Sequence, residues 1–245
     1  MAAHSPQIIA HRGNSSVAPE NTPAAFAAAI AAGAGCIEID VSITGDDHFV
    51  VIHDETLERT TNGTGAVRES SLAQVQSLDA GAWFSPAYAG QRVPTLQEFT
   101  DLLSDHDGLE ALIELKGRWS AANIARVVEA LTSRGVGERA ILQSFHPHTL
   151  AMLHEHASHL RRGVLAADGV EDLIPACVAA GVHTLNPHVR HVEEDPDVIG
   201  RIHAAGLRAQ VWTANDPGRW RFLRDLRVDG IITDRPDALA GYLTR

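Results

Sequence analysis

The sequence predicts an α/β fold, a (β/α)8 TIM barrel, on three observations. Short apolar, β-branched runs recur along the 245 residues, and most are followed by a helical pattern with its own start and stop signals. Strands that alternate with helices pair in parallel through right-handed crossovers. Eight such units in this length fit a barrel, which takes about 250 residues. A doubly wound sheet is the alternative, but no glycine-rich dinucleotide fingerprint follows any of these runs.

The predicted strands follow one another at short intervals, except for a long stretch between the second and the third. They are residues 7–13, 36–44, 110–116, 139–145, 163–166, 182–186, 207–213 and 229–233. The long stretch holds an extra strand, Phe49 to Asp54, expected to pair back onto the second strand. Residues of about 55–93 are rich in Thr, Gly and Ser. A structureless loop of that length is improbable, so a single domain, 1–245, is expected to carry a small insertion here, beside or over one end of the barrel.

Capping residues predict where the helices begin. Thr22 is expected to cap the first helix, with Pro23 in its first turn and Gly33 at its end. Later helices are expected to start at Thr95 with Glu98, Ser120, Asp168 with Glu171, Asp195 with Pro196, and Asp216 with Pro217.

The composition, 44% hydrophobic and 21% charged, is that of an ordinary globular protein. A formal net charge of −11 argues against nucleic acid or an anionic membrane as the main partner. Cys36 and Cys177 lie in apolar segments and are expected to be buried free thiols, as in a reducing compartment. No apolar run approaches transmembrane length, and no secretory signal precedes the strand near Gln7. We therefore expect a cytoplasmic protein.

A histidine and an arginine, His11 and Arg12, stand where the first strand ends and its loop begins. In parallel α/β proteins that edge holds the chemistry. A titratable base beside a fixed cation suits an anionic substrate, although a simple strand cap is an alternative interpretation. His53 stands near the end of the extra strand. A lone histidine there would be structural, but together with His11 it provides a pair that can share acid and base roles.

Acidic residues alternate along two neighbouring predicted strands. Glu38 and Asp40 lie two apart and therefore on one face, and the same spacing returns in Glu114 and Lys116. Like charges inside a barrel are costly unless a cation joins them. Three carboxylates on adjacent strands predict an oxygen-rich site for a hard divalent cation, Mg²⁺ or Ca²⁺. The alternative is an internal salt-bridge layer of Glu114, Lys116 and Arg12 without a metal.

Two further strand ends carry side chains of interest. Trp212 ends the seventh strand, either as part of the barrel wall or as an apolar wall for a ligand. Ser144 ends the fourth strand, and no His–Asp set that would make it a nucleophile is evident. The cysteines show no metal-ligand spacing.

An ordered series of short motifs over nearly the whole chain resembles the bacterial-type glycerophosphodiester phosphodiesterase family. The motifs are His11-Arg12-Gly13, Pro19-Glu20-Asn21-Thr22, Glu38-Ile39-Asp40, His53-Asp54, Arg59-Thr60-Thr61, Pro94-Thr95-Leu96, Glu114-Leu115-Lys116, Ser144-Phe145, Trp212-Thr213 and the segment from Asp229 to Pro236. Each motif is weakly specific alone, whereas the ordered set is highly specific. The family's fold, a barrel with a small insertion after the second strand, agrees with the pattern of the elements.

The resemblance implies a metal-dependent hydrolase that converts small glycerophosphodiesters to sn-glycerol 3-phosphate and an alcohol, without nucleic acid or stable membrane association. It implies the following roles: metal ligands at Glu38, Asp40 and Glu114; an acid/base pair at His11 and His53; phosphate contacts at Arg12 and Lys116; and a contact to the substrate's glycerol or leaving group at Trp212. The sequence does not determine which histidine is the base and which is the acid. It also does not determine whether the nucleophile is water or the glycerol 2-hydroxyl.

Two alternatives stay open. One is a related barrel phospholipase acting on lysophospholipid or sphingolipid, which needs an apolar rim such as Trp83, Phe84 and Tyr88. The other is a non-catalytic barrel that binds phosphorylated ligands. Retention of both histidines and all three carboxylates argues against that second alternative.

Overall fold

Strands and helices alternate along residues 5–244, the part of the chain that the structure, a computed structural model, describes. The strands are β1 (Gln7–His11), β2 (Cys36–Ile43), β3 (Phe49–Val51), β4 (Glu110–Leu115), β5 (Ala140–Ser144), β6 (Arg161–Ala166), β7 (Thr184–Pro187), β8 (Gln210–Val211) and β9 (Gly230–Thr233). The helices are α1 (Pro23–Ala31), α2 (Leu72–Gln76), α3 (Leu96–Ser104), α4 (Ala121–Thr132), α5 (Pro147–His156), α6 (Val170–Ala180), α7 (Val189–Glu194), α8 (Val198–Ala204), α9 (Pro217–Asp225) and α10 (Pro236–Leu243).

Eight parallel strands form a ring in the order β7-β6-β5-β4-β2-β1-β9-β8. Parallel bridges from Thr184 to Arg208 and from His188 to Trp212 join β7 to β8 and close it. Helices lie between successive strands, so the predicted (β/α)8 barrel is confirmed. β8 is shorter than predicted because Arg208 and Trp212 pair singly with β7 rather than within a continuous ladder.

Alternation along β2 separates an apolar face from a charged one. Ile37, Ile39 and Val41 point outward and pack with the helices in the largest apolar cluster of the described chain. Burial of each such side chain contributes roughly 1.5–3 kcal/mol. Glu38 and Asp40 consequently point into the barrel, as the spacing predicts.

β3 pairs antiparallel with β2, opposite Val41 to Ile43, which forms the predicted hairpin. The segment 55–93 follows β3 and contains α2. Its apolar side chains form a separate cluster with residues of β3, namely Val50, Ile52, Leu57, Val67, Val75, Ala80 and Val93. The Tyr88 hydroxyl donates to the Val17 carbonyl, at 2.7 Å, in the loop after β1. The segment therefore lies against the carboxyl ends of the barrel strands.

Most predicted helix starts are confirmed by their hydrogen bonds. Thr22, Ser120 and Asp216 accept from backbone amides of α1, α4 and α9, and Thr95 forms a capping box with Glu98 before α3.

Two predicted helix starts are wrong. Gly169, not Asp168, precedes α6, and its left-handed φ of 61° displaces Asp168 from the capping position. Asp195 ends α7, a helix that the sequence pattern did not predict, and its carboxylate pairs with Arg201 instead of capping α8.

Both cysteines are buried free thiols, as predicted. Burial raises the pKa of Cys177 to about 11, so its reactive thiolate form is suppressed at neutral pH. Between residues 5 and 244, no helix has the length and apolar character needed to cross a bilayer.

Candidate active site

Strand register brings the three predicted carboxylates together inside the barrel. His11 on β1 lies opposite Glu38 on β2, and Asp40 lies opposite Glu114 on β4. All three carboxylates are buried, and each offers one oxygen within 4.8 Å of the others. Oxygen ligands at this separation suit a hard divalent cation.

Two cations lie among these carboxylates. Lys116 Nζ lies 2.9 Å from Asp40 Oδ1 and 2.7 Å from Glu114 Oε1. Arg12 Nε lies 3.0 Å from Asp40 Oδ2. Burial alone would raise the pKa of Asp40, but Lys116 and Arg12 outweigh it and lower that pKa. Asp40 is therefore the carboxylate of the trio that stays ionised most firmly.

Glu38 is differently placed. Its Oε2 accepts from the Arg12 amide at 3.1 Å, but no ion pair of residues 5–244 includes it. Burial, and then the negative charge of Asp40, raise the pKa of Glu38 well above its usual range. Burial and Asp40 likewise raise the pKa of Glu114 to about 7. Two cations for three buried carboxylates leave the cluster short of positive charge, which a bound divalent ion would supply.

His11 lies at the carboxyl end of β1, beside the end of β9. Its Nδ1 is 2.6 Å from Asp234 Oδ1. The Asp234 carboxylate also accepts from Ser15 Oγ at 3.2 Å and from Asn215 Nδ2 at 2.5 Å. Because Nδ1 is engaged, Nε2 remains for a ligand.

His53 lies on the insertion side of the same opening. Its Nδ1 is 2.6 Å from Asp54 Oδ1. Arg59, from the insertion, donates to both oxygens of Asp54 and to both oxygens of Glu20, and Glu20 in turn accepts from Arg12 Nη1 at 2.8 Å. Burial lowers the pKa of His53, although the Asp40 charge opposes that shift.

The two histidines open onto one cavity of about 240 Å³, here called the catalytic cavity. Its lining combines a charged side with an apolar side: His11, Arg12, Glu38, His53, Glu114, Lys116, Gln143, Phe145, Leu165, Trp212 and Ile232. The Trp212 ring meets the Phe145 ring edge-on, with centroids 5.3 Å apart, and its Nε1 donates to the Asn186 carbonyl at 2.8 Å. Trp212 is thereby fixed as an apolar wall.

The structure thus brings together all eight residues predicted for the site. Ser144 is not a nucleophile here, because its hydroxyl donates to the Leu115 carbonyl at 2.7 Å inside the barrel wall. The sequence reasoning gave no role to Asp234, Asp54, Glu20 or Arg59. Adjacency to His53 was a signal for Asp54, whereas Asp234 is 223 residues from His11 and needed the closed ring to be found.

Comparison with known proteins identifies the family. Residues 11–238 match the model of the glycerophosphoryl diester phosphodiesterase family. The chain belongs to this family. A glycerophosphodiester phosphodiesterase from Caldanaerobacter subterraneus subsp. tengcongensis is 36% identical over 97% of this chain and 98% of its own length.

Solved structures of glycerophosphodiester phosphodiesterases agree with the barrel. One from Agrobacterium tumefaciens has 31% identity and a TM-score of 0.85, covering 97% of this chain and 100% of its own. A phosphodiesterase from Oleispira antarctica, solved with its product sn-glycerol-3-phosphate, has 28% identity and a TM-score of 0.88, covering 98% and 97%. Membership of the glycerophosphodiester phosphodiesterase family makes this protein a phosphoric diester hydrolase rather than a non-catalytic binding barrel.

Proposed function

We propose that this protein hydrolyses glycerophosphodiesters to sn-glycerol 3-phosphate and an alcohol with the help of one divalent cation and two histidines. The observation that carries the proposal is one shared site: the carboxylate trio, two partly buried cations and two aspartate-anchored histidines lie together at the catalytic cavity. The product bound to the Oleispira antarctica relative supports sn-glycerol 3-phosphate as the product here.

The cation would be held by Glu38, Asp40 and Glu114. Carboxylate oxygens are ligands of hard ions, so Mg²⁺ or Ca²⁺ fits the donor set. When bound, such an ion draws charge from phosphoryl oxygens and lowers the pKa of a hydroxyl or water beside it. The shortage of positive charge around Glu38 supports this assignment.

Lys116 and Arg12 would hold the phosphate. An ammonium has three N–H donors, and the two carboxylate contacts of Lys116 leave its third for a phosphoryl oxygen. Arg12 keeps further N–H groups beyond its hydrogen bond to Glu20 and its ion pair with Asp40. Fixed donors of this kind stabilise the charge that develops on the transition state, and each contributes roughly 2.7–4 kcal/mol in measured cases.

His11 and His53 would transfer the protons. An in-line displacement places the entering and leaving oxygens on opposite sides of phosphorus, so one base and one acid must flank it. Burial lowers the pKa of His53 and so favours its neutral form, which suits the group that accepts the nucleophile's proton. His11 would then protonate the departing alcohol. The nucleophile is either water or the glycerol 2-hydroxyl, which would give a cyclic intermediate.

The test is turnover of glycerophosphocholine by the purified protein, with and without a chelator. We expect chelator to abolish activity and added Mg²⁺ or Ca²⁺ to restore it. Glu38→Gln should weaken metal binding measured by calorimetry while the protein stays folded by circular dichroism. Glu155→Gln, at an exposed glutamate of α5, is the matched control and should bind metal normally. Full activity in excess chelator would contradict the metal assignment.

A second substrate class, lysophospholipids, is favoured by one observation. An apolar groove of about 360 Å³ runs between α5 and α6 and shares Phe145 and Leu165 with the catalytic cavity. An acyl chain on the glycerol would fit such a groove, since apolar lining stabilises apolar ligands. Trp83 of the predicted rim is 40% exposed and meets the Phe84 ring edge-on.

The discriminating measurement is kcat/KM for lysophosphatidylcholine relative to glycerophosphocholine. Ala151→Trp places a bulky ring in the groove and should lower that ratio if the acyl chain lies there. An unchanged ratio would leave the soluble diesters as the substrate class.

A further inference from the structure

A second cavity, of about 380 Å³, adjoins the catalytic cavity beside His11. His11 and Arg12 line both cavities. The remaining lining is polar: Ser15, Ser16, Glu20, Asn215, Asp234 and Arg235. We call this space the head-group pocket. A phosphate held at the junction by Arg12 would direct one of its two ester substituents into each cavity.

The two ester substituents on the phosphate of the substrate differ in polarity and therefore suit different surroundings. The glycerol phosphate part is common to all glycerophosphodiesters, and its carbon atoms suit the apolar side of the catalytic cavity at Trp212 and Phe145. The alcohol part varies and is polar, so the polar pocket matches it. This arrangement also places His11 beside the oxygen of the departing alcohol.

The acidic groups of the head-group pocket are already engaged by neighbouring side chains. Glu20 accepts three charge-assisted hydrogen bonds, each of 2.8 Å, from the guanidinium groups of Arg59 and Arg12. Asp234 is engaged by His11, Ser15 and Asn215. Both oxygens of each carboxylate therefore already accept hydrogen bonds within the wall of the pocket.

The neutral donors of the pocket are committed as well. The Ser15 hydroxyl donates to the His11 carbonyl at 2.9 Å, and the Ser16 hydroxyl donates to Asn14 Oδ1 at 3.0 Å. The Asn215 carbonyl oxygen accepts from the Thr233 hydroxyl and the Asp234 amide. These contacts hold the wall rigid and leave few groups for a ligand.

Arg235 is the exception. It follows β9 and is exposed, and its backbone N–H donates to Thr233 Oγ1 at 3.1 Å. Its guanidinium has no hydrogen bond or ion pair within residues 5–244. Among the described residues that line the pocket, Arg235 is therefore the charged one whose side chain is free to pair with a ligand.

We propose that the head-group pocket receives the alcohol part of the substrate and that Arg235 selects alcohols bearing a carboxylate, such as the serine of glycerophosphoserine. The inference rests on the proposed function and names its preferred substrate class. A guanidinium binds a carboxylate through two parallel hydrogen bonds. The overall charge of −11 repels anions from most of the surface, so a local cation is needed to recruit one.

The test compares glycerophosphoserine with glycerophosphoethanolamine, which differ by one carboxylate. In the metal-loaded protein, kcat/KM should be about 5-fold higher for the serine diester, since ion pairs at exposed sites are weak. Arg235→Gln should bring the ratio to about 1, and Arg235→Lys should retain part of it. Arg221→Gln removes the same charge from an exposed residue of α9 and should keep the full ratio.

Added salt should reduce the preference of the wild-type protein, because screening weakens an exposed pair. Equal kcat/KM values in the wild type, or an unchanged ratio in Arg235→Gln, would overturn the inference. An equal loss on both substrates in Arg235→Gln would overturn it too, because Arg235 would then act on their common part. No turnover of either diester by the wild type would instead be a failure of the proposed function.

Discussion

His11 and His53 share one hydrogen-bonding arrangement but are held by different parts of the molecule. Each ring places Nδ1 2.6 Å from an aspartate oxygen. His11 and Asp234 belong to adjacent barrel strands and the turn after them, and the His11 side chain is 17% exposed. His53 and Asp54 are neighbours in sequence, and the His53 side chain is 35% exposed.

The hydrogen-bond partners of the two aspartates show which part of the molecule positions each histidine. Asp234 is fixed by Asn215 and Ser15, which belong to the barrel loops. Asp54 is fixed by Arg59, which belongs to the insertion. The first histidine therefore depends on the closed ring, and the second depends on a segment that packs around its own small core.

The largest expected effect is the loss of either histidine. His11→Ala and His53→Ala should each lower kcat on glycerophosphocholine by about 10² or more, because general acid and base catalysis contribute that much. A diester with a nitrophenolate leaving group needs no proton from the protein. It should rescue His11→Ala and not His53→Ala, if His11 is the acid.

Steady-state kinetics on both substrates provide the measurement. His159→Ala, at an exposed histidine beyond α5, is the control and should behave as the wild type. Near-normal turnover by His53→Ala, with chemistry shown to be rate-limiting, would refute the two-histidine mechanism. Rescue of His53→Ala alone would exchange the two roles.

An intermediate effect is expected from the aspartates. Asp234→Asn and Asp54→Asn should each lower kcat by about 10-fold, since groups that orient a functional histidine usually contribute 10- to 100-fold. Each loss should disappear in the variant that already lacks the attached histidine and should persist in the variant that lacks the other. Double-variant kinetics measure this; a further loss from Asp54→Asn in the His53→Ala background would show that Asp54 acts elsewhere.

The smallest expected effect is on stability and depends on pH. Arg59, opposed by partial burial and helped by His53, lowers the pKa of Asp54 from 3.8 to about 2. A lowered carboxyl pKa stabilises the folded state above the unfolded-state pKa, and that contribution is lost as pH falls through the folded-state pKa. Asp54→Asn should therefore reduce the free energy of unfolding by about 1 kcal/mol or less at pH 6.

Urea unfolding at pH 6 and at about pH 2 checks the stability effect. The difference between wild type and Asp54→Asn should shrink between pH 4 and pH 2. A difference that stays constant over this range would mean that Asp54 stabilises the protein through packing rather than through its charge.

The sequence predicted what depends on local order along the chain. Period-two alternation placed Glu38 and Asp40 inside the barrel, and their partners in the apolar core followed from the same pattern. The capping box at Thr95 and Glu98 depends on residues three apart and was predicted correctly. The order of the motifs along the chain likewise identified the family.

Features that depend on distant contacts were missed. Asp195 is followed by the sequence pattern of a capped helix, but its carboxylate forms an ion pair with Arg201 instead. Arg59 joins Asp54 to Glu20 only because the insertion folds back over the rim. A metal site and an internal salt-bridge layer are alternative interpretations of the sequence. In the structure, Lys116 pairs with Asp40 and Glu114 in the same carboxylate cluster that would hold the ion. Periodicity has no information about which of these tertiary partners meet.

The distance in sequence between His11 and Asp234 also sets the timing of activity during protein synthesis. His11 belongs to the first strand to be made, and its aspartate is added 223 residues later. Domains generally fold as units as the chain emerges, with the N-terminal part first. A nascent or prematurely terminated chain that ends before β9 therefore carries the three clustered carboxylates and both histidines but lacks the Asp234 partner of His11. Activity that depends on the contact between His11 and Asp234 would then require a chain completed beyond β9.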